Sequence, residues 1–227
     1  MSKGLGGMGN HIMRLALLLV LGVACVRATL LAAQDTKKFS YVDLQTKANA
    51  KLTGSFGSGF LNLAKLPQGE LTFQEVKFKI SEGLIQLGRQ SPPLKEPRPD
   101  KVEGIPVKSR LAKLHLLHAT VGGGLKPSQF AEDGTMIAEY KVHYEDGTTQ
   151  AIPVVYGKDL RDFFNHDDFK PVERAKLAWK DNEPPLRLYL CAWENPHPAK
   201  IIRSIDFVKT GDTSCAPFCV AITLEQK

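Results

Sequence analysis

Cysteine is scarce in this chain, with four in 227 residues. Cys25 lies in a leader-like segment, which leaves Cys191, Cys215 and Cys219. Three thiols are too few for a disulfide framework and allow at most one bridge with one thiol left over. Cys215 and Cys219 are four apart, a span of about 13 Å along a strand. That is too far for a bridge unless Pro217 breaks the strand. Small, buried, apolar cysteine is the simpler reading.

A strong charge of one sign is also missing. Lys and Arg number 30 against 24 Asp and Glu, a formal charge of +6. Removing a leader that holds Lys3, Arg14 and Arg27 and no acid brings it to +3. No basic cluster with interleaved aromatics occurs, so nucleic acid is not an expected partner. No Gly-x-Ser-x-Gly elbow and no His-Glu-x-x-His pair is present, which removes two hydrolase signatures.

A long apolar run is lacking as well. Residues 15–26 (LALLLVLGVACV) fall short of the roughly 20 apolar residues a membrane span needs, and Arg27 ends them. With Lys3 and Arg14 before this run and Leu31-Ala32-Ala33 after it, residues 1–33 read as a signal peptide cleaved before Gln34. The expectation is an exported protein (periplasm, cell surface or extracellular). Its mature chain, residues 34–227, is one domain with no membrane span.

Turns and strands are abundant, whereas long helical periods are absent. Residues 187–193, 200–208 and 217–224 are three apolar runs separated by turn chemistry. Asn195-Pro196-His197-Pro198 is the hardest of those breaks. The two prolines remove backbone donors, so the first run must leave its sheet there and the second must start pairing afresh. Residues 71–80 alternate with period two, and Glu82-Gly83 predicts a hairpin into 84–87. Residues 136–144 and 150–155 flank Asp146-Gly147, a strong hairpin signal. Residues 90–100 hold four prolines and predict a crossing loop between sheets. Residues 111–119 (LAKLHLLHA) fit a buried strand or a short helix. Residues 171–179 leave the same choice, and residues 160–164 suggest one helical turn. Nine or ten strands follow, giving an all-β, two-sheet antiparallel β-sandwich with a jelly roll as the expected topology.

The strings LPQGELTFQEVKFKISEGLIQLG, GIPVKSRLAKLHLLHAT, YKVHYEDGTTQAIPVVYGKDLRDFF, LYLCAWENPHPAKIIRSIDF and APFCVAIT resemble a secreted domain frequent in planctomycete proteins. The resemblance spans residues 39–224. It implies a galactose-binding-like β-sandwich and no established activity. That domain usually has Asp-Trp-Trp where this chain has Asp162-Phe163-Phe164, so the indole donors of any sugar platform are lost here.

Three function classes follow. A sugar-binding sandwich stacks sugar C–H faces on exposed rings with amide or carboxylate groups beside them. The candidates are Trp193, Asn195, Tyr156, Phe163, Phe164 and Trp179, and a core role for Trp193 is the competing reading. A structural or protein-interaction domain without a small ligand is the alternative. A glycoside hydrolase ranks third: it needs two carboxylates facing across a cleft. Asp146, Asp162, Asp167, Asp168 and Glu194 lie mostly in turn-like sequence. Ser204 and Ser214 have no base nearby in the chain. No cofactor is expected beyond a structural calcium on Asn165, Asp167 and Asp168. His115 and His118, three apart, share a face only on a helix. Gly122-Gly123-Gly124 lacks the following helix of a phosphate cradle and reads as a surface loop. The sequence thus predicts an exported, non-enzymatic module with a carbohydrate or cell-envelope component as partner.

Overall fold

The computed structural model describes Met1 and residues 38–56, 61–88, 98–123, 131–164 and 170–226. Among these residues there are thirteen strands and no helix. They are β1 (Lys38–Tyr41), β2 (Ala50–Lys51), β3 (Gly69–Phe73), β4 (Val76–Ile80), β5 (Gly83–Gln86), β6 (Lys101–Ser109) and β7 (Lys113–Val121). After them come β8 (Met136–Tyr144), β9 (Thr149–Val155), β10 (Ala175–Lys180), β11 (Arg187–Glu194), β12 (Ile202–Lys209) and β13 (Ala216–Gln226). One sheet has the order β10-β11-β7-β13-β5-β2, with β1 added beside β13. A second has the order β6-β12-β8-β9, and β3 pairs β4 as a separate hairpin. The pairings between these strands are antiparallel. The protein is an all-β sandwich.

The larger sheet is covered on both faces. On one face His118 of β7 meets Tyr140 of β8 at 3.5 Å, and Tyr140 stacks on Phe207 of β12 with ring centroids 4.3 Å apart. On the other, Thr223 of β13 donates to the Lys77 carbonyl of β4 at 2.8 Å, and Phe218 packs on Phe56. β7 and β13 are therefore buried almost end to end. A strand with two apolar faces loses its period-two signature. That is why residues 111–119 read equally well as strand or helix.

Three sequence expectations are corrected. Residues 71–80 are not one strand: Gln74 and Glu75 turn the chain with φ of 49° and 67°. Two positive φ values make the tight hairpin that Asn-Gly usually supplies, so the turn carried no signal. β4 does not pair with β5. It returns along β3, and β5 joins β13 and β2. Residues 160–164 form bridges, Tyr156 to Leu160 and Asp162 to Thr120, rather than a helical turn. The expected break between the first two C-terminal runs is present: β11 and β13 flank β7, while β12 lies in the other sheet. The Asn195–Pro198 corner thus carries the chain from one sheet to the other, as its prolines require.

Candidate functional site

Asn195 holds the corner together. Its side chain is buried, and its Oδ1 accepts hydrogen bonds from Tyr144 Oη at 2.7 Å and from the His197 amide at 3.0 Å. Its Nδ2 donates to the carbonyls of Leu111 at 3.0 Å and His197 at 3.3 Å. Its own amide donates to the Ala112 carbonyl at 2.8 Å. Asn195 therefore ties the ends of β11 and β8 to the turn between β6 and β7. Lys200 closes the outer side, with Nζ 2.7 Å from Asp146 Oδ2 and 5.5 Å from the Tyr144 ring centre.

Against this corner lies a groove of about 490 Å³. Leu111, Ala112, Pro198 and Ile201 form its apolar part, and Lys108, Ser109, Arg110 and Gln226 its polar part. Two steps of β12, from Ile202 to Ser204, face three steps of β6, from Ser109 to Pro106. The extra residue bulges β6, and Lys108 takes φ of 51°, a left-handed conformation that lysine seldom adopts. Arg110 is exposed, and its Nε donates to the Ala199 carbonyl at 2.8 Å. No Asp or Glu is among the lining residues. The sequence marks none of this lining as a site apart from the neighbouring Asn195-Pro196-His197-Pro198 break. Lys108-Ser109-Arg110 at a strand end carries no distinctive pattern.

The predicted aromatic platform is not assembled. Trp193 and Asn195 stand at one end of β11, whereas Trp179 pairs with Leu188 at the other end. Trp193, Trp179 and Phe164 are half-buried against the core. Phe163 is buried between Phe56 and Phe218, at centroid distances of 5.4 and 5.6 Å. Tyr156 is buried under the Arg161 guanidinium, 5.6 Å from its ring centre, and Gly123 packs so closely on it that a Cβ there would collide. Neither Phe163 nor Tyr156 offers a ring face to a sugar. Asn195 is likewise spent on the corner. Asn165, Asp167 and Asp168 lie outside the described residues.

Residues 155–164 carry a buried polar belt. Asp162 Oδ2 accepts from the Gly123 amide at 2.7 Å, and Oδ1 from the Phe164 amide at 2.9 Å. Gly123 thus donates its amide to the chain's own carboxylate. Burial pushes Asp162 up to about 6, against the lowering effect of those two amides. Asp159 Oδ2 takes the Val155 amide and Arg174 Nη2, at 2.8 and 2.7 Å. Arg161 grips both oxygens of Asp133 at 2.8 and 2.7 Å, which holds that carboxyl below its usual range. Burial lowers His118 to about 4 and raises the thiols of Cys191 and Cys219 to about 12. The two thiols are therefore held protonated and unreactive at neutral pH.

His115 and His118 stand on a strand and so point to opposite faces. His115 pairs with Glu225 at 2.8 Å, and His118 faces Tyr140. Ser204 does gain a neighbour the sequence hid: it lies opposite His143, whose Nε2 is 2.6 Å from Asp206 Oδ2. Among the described residues no hydrogen bond joins Ser204 to His143, so the nucleophile–base contact of a hydrolase is not made.

Comparison of the chain with known protein families, curated proteins and solved structures gives no match.

Proposed function

We propose that this protein is an exported, non-enzymatic β-sandwich module that binds carbohydrate or other cell-envelope material in the groove beside the Asn195 corner. The observation that carries this reading is the groove itself. It lies beside the corner that Asn195 ties together, and it is lined by apolar Leu111, Ala112, Pro198 and Ile201 and by polar Lys108, Ser109, Arg110 and Gln226. Its volume of about 490 Å³ falls within the ~300–1,000 Å³ of small-ligand sites. Asp159, Asp162, His118 and Cys191 bond within or onto residues 155–164, which supports a binding role over catalysis. The jelly-roll topology and the kinship with secreted planctomycete domains belong to the same proposal. A glycan array on the secreted protein, with and without calcium, tests it. Enrichment of one glycan class supports the reading, and a silent array removes it. The mass of the exported protein tests the leader: residues 1–33 should be missing.

One observation favours a second reading, a structural or protein-interaction role. Leu177 is 44% exposed on β10, the edge strand of the large sheet. A silent array together with a photo-crosslink from position 177 to another protein would select it.

A further inference from the structure

We infer that the ligand of the groove is an anionic saccharide, with sugar units that carry carboxylate or sulfate groups. The inference rests on the reading that this groove binds carbohydrate, and it adds the charge of the sugar. Lys108 and Arg110 are the two charged side chains that line the groove, and both are cations. Both are exposed, and neither meets a carboxylate among the described residues. This contrasts with neighbouring cations. Lys113 is paired with Glu194 at 2.8 Å, and Lys200 with Asp146 at 2.7 Å.

Geometry adds to charge. The Arg110 guanidinium is anchored through Nε on the Ala199 carbonyl. That bond uses Nε and leaves the two terminal nitrogens, and a guanidinium edge of this kind matches the two oxygens of a carboxylate or sulfate. Lys108 stands two residues earlier, at the bulge of β6, where φ is 51°. A non-glycine residue in that region is strained, and strain of this kind concentrates at functional positions. Lys108 and Arg110 therefore offer two cationic contacts in one groove. Ser109 and the Gln226 amide add groups for sugar hydroxyls, and Pro198 and Ile201 an apolar patch for the ring.

The test is binding of the purified protein to polygalacturonate, dextran sulfate, neutral dextran and polyaspartate, by isothermal titration at low and high salt. The expectation is binding to one or both anionic polysaccharides, weakened by salt, and little binding to dextran or polyaspartate. The two anionic arms separate carboxylate from sulfate recognition. Lys108→Gly should weaken binding about tenfold without lowering the melting temperature, because glycine accepts the left-handed conformation. Arg110→Gln should weaken it by a similar factor, and Arg110→Lys by less. Binding of dextran alone would overturn the inference and leave carbohydrate binding standing. No binding in any arm would remove both. Equal binding of polyaspartate would show attraction by net charge and would also overturn the inference. So would full affinity in a folded Lys108→Gly protein.

Discussion

Tyr144 ends a strand of one sheet and Asn195 follows a strand of the other, and a 2.7 Å hydrogen bond from Tyr144 Oη to Asn195 Oδ1 joins them. The same amide binds Leu111 and His197, so the corner and the groove share one keystone. Asn195→Ala should lower stability by roughly 1–3 kcal/mol for each buried partner left without a bond. Tyr144→Phe removes a single hydroxyl and should lower it by about 1 kcal/mol. The double variant should lose little more than Asn195→Ala alone, because both changes break the same contact. Urea unfolding of the three variants measures this. Additive losses would mean that the two residues act separately.

Trp193 lies at the corner end of β11, half-buried against the core and outside the groove lining. Trp193→Ala should lower stability by roughly 1.5–3 kcal/mol, below the ~3–5 kcal/mol of a fully buried aromatic. Phe163→Ala, at a position that is 1% exposed, should reach that higher range. Glycan affinity should survive both changes once the proteins are folded. If Trp193→Ala abolished binding while leaving the melting temperature unchanged, Trp193 would be a stacking platform.

His118 and Asp162 oppose each other in acid. His118 has its pKa lowered from 6.5 to about 4 in the folded protein. Its contribution is therefore present above pH 6.5 and is lost as pH falls through about 4. Asp162 is raised from 3.8 to about 6. Its contribution is present below pH 3.8 and is lost as pH rises through about 6. Each shift corresponds to about 3 kcal/mol, so between pH 4 and 6 the two nearly cancel. Asp162→Asn should remove one side of this balance. Acidification from pH 7 to 4 should then cost that variant about 3 kcal/mol more than the parent. His118→Gln should deviate in the opposite direction. Urea midpoints across this range decide the matter, and curves parallel to the parent in both variants would refute the pairing.

Cys191, Cys215 and Cys219 are free and buried, and burial raises all three thiols. A thiol held protonated and out of solvent reacts slowly. A disulfide reagent should leave these three untouched in the native protein and label them on unfolding. Reductant should not move the melting temperature. A drop of several kcal/mol on reduction, the size typical of a native disulfide, would reveal a bridge.

The sequence by itself determined the all-β class and the placement of most strands. Residues 136–144 and 150–155 were legible because one face is wet and the other dry, and Asp146-Gly147 marks the turn between them. The corner was legible because proline removes donors whatever surrounds it. Such signals are local: they depend on a residue and its near neighbours in the chain. Partnership is not local. That β5 leaves β4 for β13, and that β11 and β12 part into different sheets, depends on which surfaces bury each other. Burial on both faces also erased the alternation of β7. The groove was hidden for the same reason. Lys108 and Arg110 lie about ninety residues before Pro198 and Ile201 in the chain, and only the bulge in β6 and the hydrogen bonds of Asn195 bring them together. Trp193, Phe163 and Tyr156 look alike as exposed rings or as packing. Tertiary contacts alone set Phe163 and Tyr156 inside the fold and left Trp193 at its margin.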